Sequence, residues 1–202
     1  MRAITDTRPR QRARHRRARP MEITLHIGAH RTATTTFQHY MRESGPALRR
    51  AGVGFWGPLR TRGGLFTGLL PDGAEGDAGA DMARARIAAA LDRAERTGTR
   101  HLIVSEENIL GLAARNIRLA RLYPQAGDRI ARLARAFDGR VTRLAVTVRP
   151  QHGYWPSAIA YAVHRGHPVP DAARLERIAR APRGWRDVLR ELAAAQGAAI
   201  SV

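Results

Sequence analysis

Between Ile27 and Thr36 the chain reads Gly28-Ala29-His30-Arg31-Thr32-Ala33-Thr34-Thr35, placing an imidazole, a guanidinium and three hydroxyls within eight positions. Residues of these types gather where an anion is held. A guanidinium supplies charge and a donor fork, the hydroxyls add donors, and small residues let the backbone N–H groups approach an oxygen. The segment is not a Walker A loop. In G-x-x-x-x-G-K-[ST] counted from Gly28, the second glycine falls on Ala33 and the lysine on Thr34, so the cation that grips the phosphates of ATP or GTP is missing from its place. Arg31 offers a cation earlier in the turn. A threonine-rich junction of this kind also serves as a plain helix N-cap.

Two further groups of residues suit anion or proton chemistry. Arg149 stands at the end of an apolar run and is followed eight positions later by Ser157; a guanidinium and a hydroxyl can grip one phosphate together. That spacing carries little weight alone in a chain with so many arginines, for which a solvated strand-end charge is the plainer reading. The pair Glu106-Glu107 follows the apolar run His101–Ser105 and offers a general base, with Glu106 preferred over Glu107 and His30 as the other candidate. Acidic residues after a strand also cap loops or pair with arginine. The histidines show no metal-ligand spacing with neighbouring carboxylates, and there is no cysteine, so no metal site is expected.

These groups need elements to position them. Ile23, Leu25 and Ile27 alternate with Thr24 and His26, which predicts a strand, then the 28–35 loop, then a helix through Phe37 and Tyr40. Gly45-Pro46 ends that helix, a short helical piece covers 47–51, and Val53–Trp56 predicts a brief strand. Residues 57–79 are glycine-rich and aperiodic and predict a mobile loop. Helices are expected over 80–96, 128–137, 155–164, 171–180 and 185–196, and strands over His101–Ser105, 141–148 and 199–202. Strands alternating with helices predict an α/β fold of three layers, P-loop type, with a mainly parallel central sheet flanked by helices. Ligands in such folds sit at the carboxyl ends of strands. That rule selects the segments after Ile27, Ser105 and Val148, where the polar residues cluster.

The 202 residues suffice for one domain plus a tail. The formal charge of +18 would ordinarily suggest a polyanionic partner. Every Lys/Arg position is arginine and alanine is abundant, as a GC-rich coding sequence produces without selection for a partner. Residues 1–20 hold eight arginines against Asp6 alone and almost no apolar side chains, so they are expected to be a disordered basic tail ahead of a domain over 21–202, with Met21 as the natural start. No specific nucleic-acid partner is expected. No long apolar run or signal-peptide core is present, and a cytoplasmic protein without a transmembrane segment is the expectation.

The run from His26 to Gln38 resembles the bacterial sulfotransferase pattern H-x-G-x-x-K-T-G/A-T-T-x-x-Q, in which the loop binds the 5′-phosphosulfate end of 3′-phosphoadenylyl sulfate (PAPS). The resemblance implies that Gly28, His30, Thr32 and Ala33 form the cradle. It assigns Arg31 to the bridge between phosphate and sulfuryl group, and Thr34 and Thr35 to the 5′-phosphate. It further implies that Arg149 and Ser157 hold the 3′-phosphate, with Tyr161 and Gly166 also similar to the family. Arginine at 31 departs from the family's lysine, keeping charge but adding bulk. The implied reaction is sulfuryl transfer from PAPS to a hydroxyl or amine of a small-molecule, saccharide or lipid acceptor, without a metal, using Arg31 and Glu106 catalytically. The family usually continues with a further segment beyond the last strand, so a C-terminally shortened member that binds nucleotide without turnover is the first alternative. An ATP-dependent P-loop phosphotransferase is the second.

Overall fold

The structure is a computed structural model and describes residues 20–70, 78–197 and 199–202. The expected disorder of the basic tail falls on residues 1–19, outside the described residues. Strand β1 (Glu22–Gly28) lies in the middle of a five-stranded sheet of order β2-β3-β1-β4-β5, with β2 at Val53–Trp56, β3 at His101–Ser105, β4 at Arg143–Thr147 and β5 at Ala199–Ser201. Every pairing is parallel. Helices flank the sheet in the three-layer α/β arrangement that the alternation predicts. Ile23, Leu25 and Ile27 are fully buried, and His26 and Gly28 on the opposite face are covered as well, as expected of a parallel strand with helices on both sides.

After β1 come helices α1 (Thr34–Glu43) and α2 (Gly45–Arg50). Between β2 and β3 run α3 (Pro58–Arg60), a wide turn at Thr61–Leu65, and α4 (Ala78–Arg96), which buries Ala83, Ile87 and Leu91 along one stripe. Helices α5 (Ala113–Leu119) and α6 (Ala126–Ala136) lead to β4. The last crossover uses α7 (Gln151–His164), α8 (Ala172–Ala179) and α9 (Trp185–Gln196). The chain moves from β1 towards the β2 edge and from β4 towards the β5 edge. The crevice between β1 and β4 is therefore the topological switch point, where α/β folds bind ligands. Among the described residues no helix is long and apolar enough to cross a membrane.

Three expectations change. Residues 58–70, predicted as part of a mobile loop, are folded: Pro58 opens α3, and Thr61, Leu65, Phe66 and Leu69 are buried. A carboxylate anchors their start, and the buried apolar residues Leu65, Phe66 and Leu69 form too short a run to show a period. Thr61 and Arg62 bind Glu106, and Phe66 sits edge-on to Phe137 at 6.2 Å. Of the rest of that expected loop, 71–77 lies outside the described residues and 78–79 opens α4. The stretch after Glu106, for which no element is predicted, holds a 3-10 turn (Glu107–Leu110) and α5, each too short to show a helical pattern. Helix α7 begins at Gln151, not at 155, because Pro156 is accommodated inside it.

Candidate functional site

Gly28 ends β1 in a space that admits no side chain. A Cβ there would lie 1.9 Å from Thr34 Oγ1 and 3.0 Å from Thr147 Oγ1. The loop is fastened to β4 at its start, where Ala29 N–H donates to the Thr147 carbonyl at 2.9 Å. It is closed on itself by Thr32, whose hydroxyl donates to the Ala29 carbonyl at 2.6 Å and lies 3.1 Å from Thr147 Oγ1. Arg31 (φ 68°) and Ala33 (φ 61°) are both left-handed. Such residues turn successive N–H groups towards one point and form a concavity for an anion. They cost energy without glycine, and such strain collects at functional sites. No side chain caps α1, so the N–H groups of its first turn, at Thr34 and Thr35, point out of the helix end without an intrahelical partner. Thr34 is buried and Thr35 exposed.

The second expected cluster lies beside it. Gly28 and Thr147 are register partners across β1 and β4, and Arg149 follows two residues beyond Thr147. Gly153 faces the exposed Arg149 side chain, its missing Cβ falling 2.9 Å from Arg149 Nε. Trp185 Nε1 holds the Arg149 carbonyl at 2.6 Å. Arg31 Nε donates to Ser157 Oγ at 3.1 Å, and its guanidinium lies 5.0 Å over the Tyr161 ring. Ser157 and Tyr161 are one turn apart and share a face of α7. The resemblance sets Arg31 and Ser157 at opposite ends of a nucleotide; here they are in contact, because the arginine is long enough to cross from loop to helix.

The third cluster joins the end of β3 to the loop. Glu106, expected as the base, is 2% exposed. Its Oε1 accepts from Arg62 Nη2 (2.6 Å) and from the Asn108 N–H (3.0 Å), while Oε2 accepts from the Thr61 hydroxyl (2.7 Å) and Arg62 Nε (3.0 Å). It caps the 3-10 turn and anchors 61–62, which occupies its oxygens. Glu107 accepts from Gln38 Nε2 at 3.0 Å and from Arg62 Nη2 at 2.7 Å. Burial alone would raise its carboxyl, but these hydrogen bonds outweigh burial and hold it below the usual carboxylate range.

His30 takes part in a network that sequence reasoning misses. Its Nδ1 lies 2.8 Å from the Tyr123 hydroxyl, its backbone N–H donates to the same oxygen at 3.0 Å, and Nε2 lies 3.2 Å from Asn108 Oδ1. Tyr123 is fully buried in a left-handed conformation (φ 39°). It is clamped there by Asn116 Oδ1 on its N–H (3.1 Å) and by Arg183 Nη2 on its carbonyl (3.0 Å). Neither Tyr123 nor Asn108 belongs to a periodic pattern; Tyr123 preceding Pro124 was the one available signal, and it marks only a turn.

Burial lowers the pKa of His30, outweighing the hydrogen bond its Nε2 donates to Asn108 Oδ1 and the nearby carboxylates, and burial likewise lowers His26 against Glu107. Both imidazoles are therefore neutral at pH 7. Because their folded pKa values lie below the ordinary 6.5, the unfolded chain binds more protons as pH falls below 6.5, and stability is lost on acidification. Thermal melts between pH 7 and pH 5 are expected to show a falling midpoint, and His26→Gln should flatten that slope. An unchanged midpoint would place both rings in water.

Comparison of the chain with protein-family models, with curated proteins and with solved structures yields no match.

Proposed function

We propose that the crevice between β1 and β4 binds an adenosine nucleotide carrying phosphate groups at both 5′ and 3′ positions, and that the protein is a sulfotransferase-like enzyme using PAPS as sulfuryl donor. The observation that carries this reading is the Arg31–Ser157 hydrogen bond of 3.1 Å, which joins the loop to the Arg149 region. An anion cradle and a cationic strand end are thereby neighbours across one crevice.

In this reading the N–H groups of the 28–35 loop, with Thr34 and Thr35, hold the 5′-phosphate. Arg149 and Ser157 hold the 3′-phosphate. Arg31, turned onto α7, adds a second guanidinium to the 3′ side, and release from Ser157 is needed for it to serve the phosphosulfate bridge. The role of base passes to His30, since Glu106 is fully engaged by its partners. Tyr123 also interacts with the Tyr154 hydroxyl. In this arrangement Tyr123 can donate to Nδ1 while Nε2–H donates to Asn108 Oδ1; for Nε2 to take the acceptor's proton, the ring proton must move to Nδ1, with the Tyr123 proton directed to Tyr154, and the Asn108 oxygen must turn away. A cavity of about 310 Å³, lined by Arg62, Glu106, Asn108 and Leu112 among others, adjoins this nitrogen's partner and offers room for an acceptor hydroxyl or amine. Sulfuryl transfer needs positioning and charge stabilisation more than covalent work from the protein.

Isothermal titration tests the binding half. Arg149→Ala is expected to weaken adenosine 3′,5′-bisphosphate by at least about 1.5 kcal/mol, as loss of a charge-assisted hydrogen bond does, and to leave adenosine 5′-monophosphate unaffected. Equal losses for both ligands would remove Arg149 from the 3′ site. A sulfuryl-transfer assay with PAPS and mixed acceptors tests the rest: His30→Ala should abolish turnover while bisphosphate still binds. Bisphosphate binding with no turnover in the wild type would make the protein a binding-only member. Magnesium-dependent ATP binding with no response to the bisphosphate would favour a phosphotransferase.

A further inference from the structure

Between α5, α7 and the segment entering α8 lies a cavity of about 670 Å³, within the size range of small-molecule sites. Leu112, Ile117, Ile159, Ala162 and Val169 form its apolar wall. Around them stand Arg115, Arg118, His167 and Arg174. Asp171 is the one carboxylate among the described lining residues, and its Oδ1 already caps α8 by accepting the Arg174 N–H at 2.7 Å. The rim is therefore cationic. Arg174 also ties α8 to α5 by donating from Nη1 to the Arg118 carbonyl, so the groove is bounded by elements joined to each other.

Exposed apolar side chains also stand on the elements that bound the groove. Leu119 (48% exposed), Val169 (71%) and Leu175 (43%) lie on the same elements, and contiguous exposed apolar surface marks binding sites. The groove opens on a different face of α7 from the nucleotide crevice, and it shares Leu112 with the cavity of about 310 Å³ beside Asn108. Ile159 and Ala162 leave α7 on roughly the opposite side from Ser157 and Tyr161, at 100° per residue.

We propose that this groove binds an anionic amphiphile: one molecule whose aliphatic or aromatic body lies along the Leu112–Ile159–Val169 wall and whose carboxylate, sulfate or phosphate head meets Arg118 and Arg174. The site is a concavity with charge at its edge, which suits a single bound molecule better than the flat face of a bilayer. This inference does not depend on the nucleotide reading.

Dodecanoate, kept below its micelle concentration, is titrated calorimetrically into the full chain. Saturable binding of one molecule per chain is expected, with affinity lowered at least about tenfold by Val169→Asp and by Arg118→Glu, and with dodecyltrimethylammonium binding at least about tenfold more weakly. Both substituted side chains are solvent-exposed, so folding is preserved, which thermal melts verify. Unsaturable binding, indifference to both substitutions, or equal affinity for the cationic amphiphile would overturn the proposal. So would binding to phosphatidylglycerol vesicles without binding of monomeric dodecanoate, which would make the surface a membrane contact.

Discussion

Glu106→Ala is expected to cost about 3 kcal/mol of folding stability, the lower end of the range for breaking a buried ion pair, because Arg62 is half exposed and water screens its side of the pair. The loss is large for one side chain because three donors depend on this carboxylate: the Thr61 hydroxyl, the Arg62 guanidinium and the Asn108 N–H. Removing it leaves the Asn108 N–H without its acceptor, leaves Thr61 only the long contacts to the Gly57 and Pro58 carbonyls (3.4 Å) and Arg62 only Glu107, and so loosens the turn at Thr61–Leu65 from the end of β3. Urea denaturation measures the effect. Glu106→Gln should recover part of it, since the amide oxygen still accepts from Asn108 or Thr61 while its NH2 faces Arg62 unfavourably. A change below about 1 kcal/mol on removing the side chain, the size of an ordinary surface substitution, would show that the carboxylate does not hold this corner together. Any fall in turnover must then be corrected for the fraction folded before Glu106 is assigned a chemical role.

Gly28→Ala should abolish nucleotide binding. The new methyl would stand 1.9 Å from Thr34 Oγ1, inside any van der Waals limit, and Thr34 is buried and sits in the first turn of α1. The loop must therefore move away from β4, taking its N–H groups out of line, at a stability cost of about 1–3 kcal/mol as for other overpacked sites. Adding Thr34→Ala removes the nearest atom. The double variant should regain much of its thermal midpoint yet remain at least about tenfold weaker for adenosine 3′,5′-bisphosphate, because the Thr34 hydroxyl is lost as well. Full recovery of affinity in the double variant would exclude Thr34 from the phosphate site. Wild-type affinity in the single variant would exclude the loop.

The parts legible in the sequence are those governed by short-range rules. Ile23, Leu25 and Ile27 announce β1 by alternation, and Gly28 marks the turn because the loop returns on itself through Thr32 and Thr34. The order of strands and helices follows from their lengths, and with it the prediction that the ends of β1, β3 and β4 converge. The parts that were not legible depend on contacts between distant residues. The turn at Thr61–Leu65 folds on a carboxylate 45 positions away, and no local period records that. His30 is oriented by Tyr123, 93 positions on, whose own strained backbone is held by Arg183 and Asn116. A sequence shows Glu106 as an acid after a strand; only the packing shows that its oxygens are already taken. Similarly, the length of the Arg31 side chain was visible, but its reach to Ser157 required the spacing of β1 and α7.

The most direct test is a crystal structure of the protein with adenosine 3′,5′-bisphosphate. One nucleotide is expected in the β1–β4 crevice, its 5′-phosphate on the N–H groups of the 28–35 loop and its 3′-phosphate within hydrogen-bond distance of Arg149 and Ser157. A nucleotide bound elsewhere, or one whose phosphates touch the loop but leave Arg149 and Ser157 unoccupied, would contradict the account.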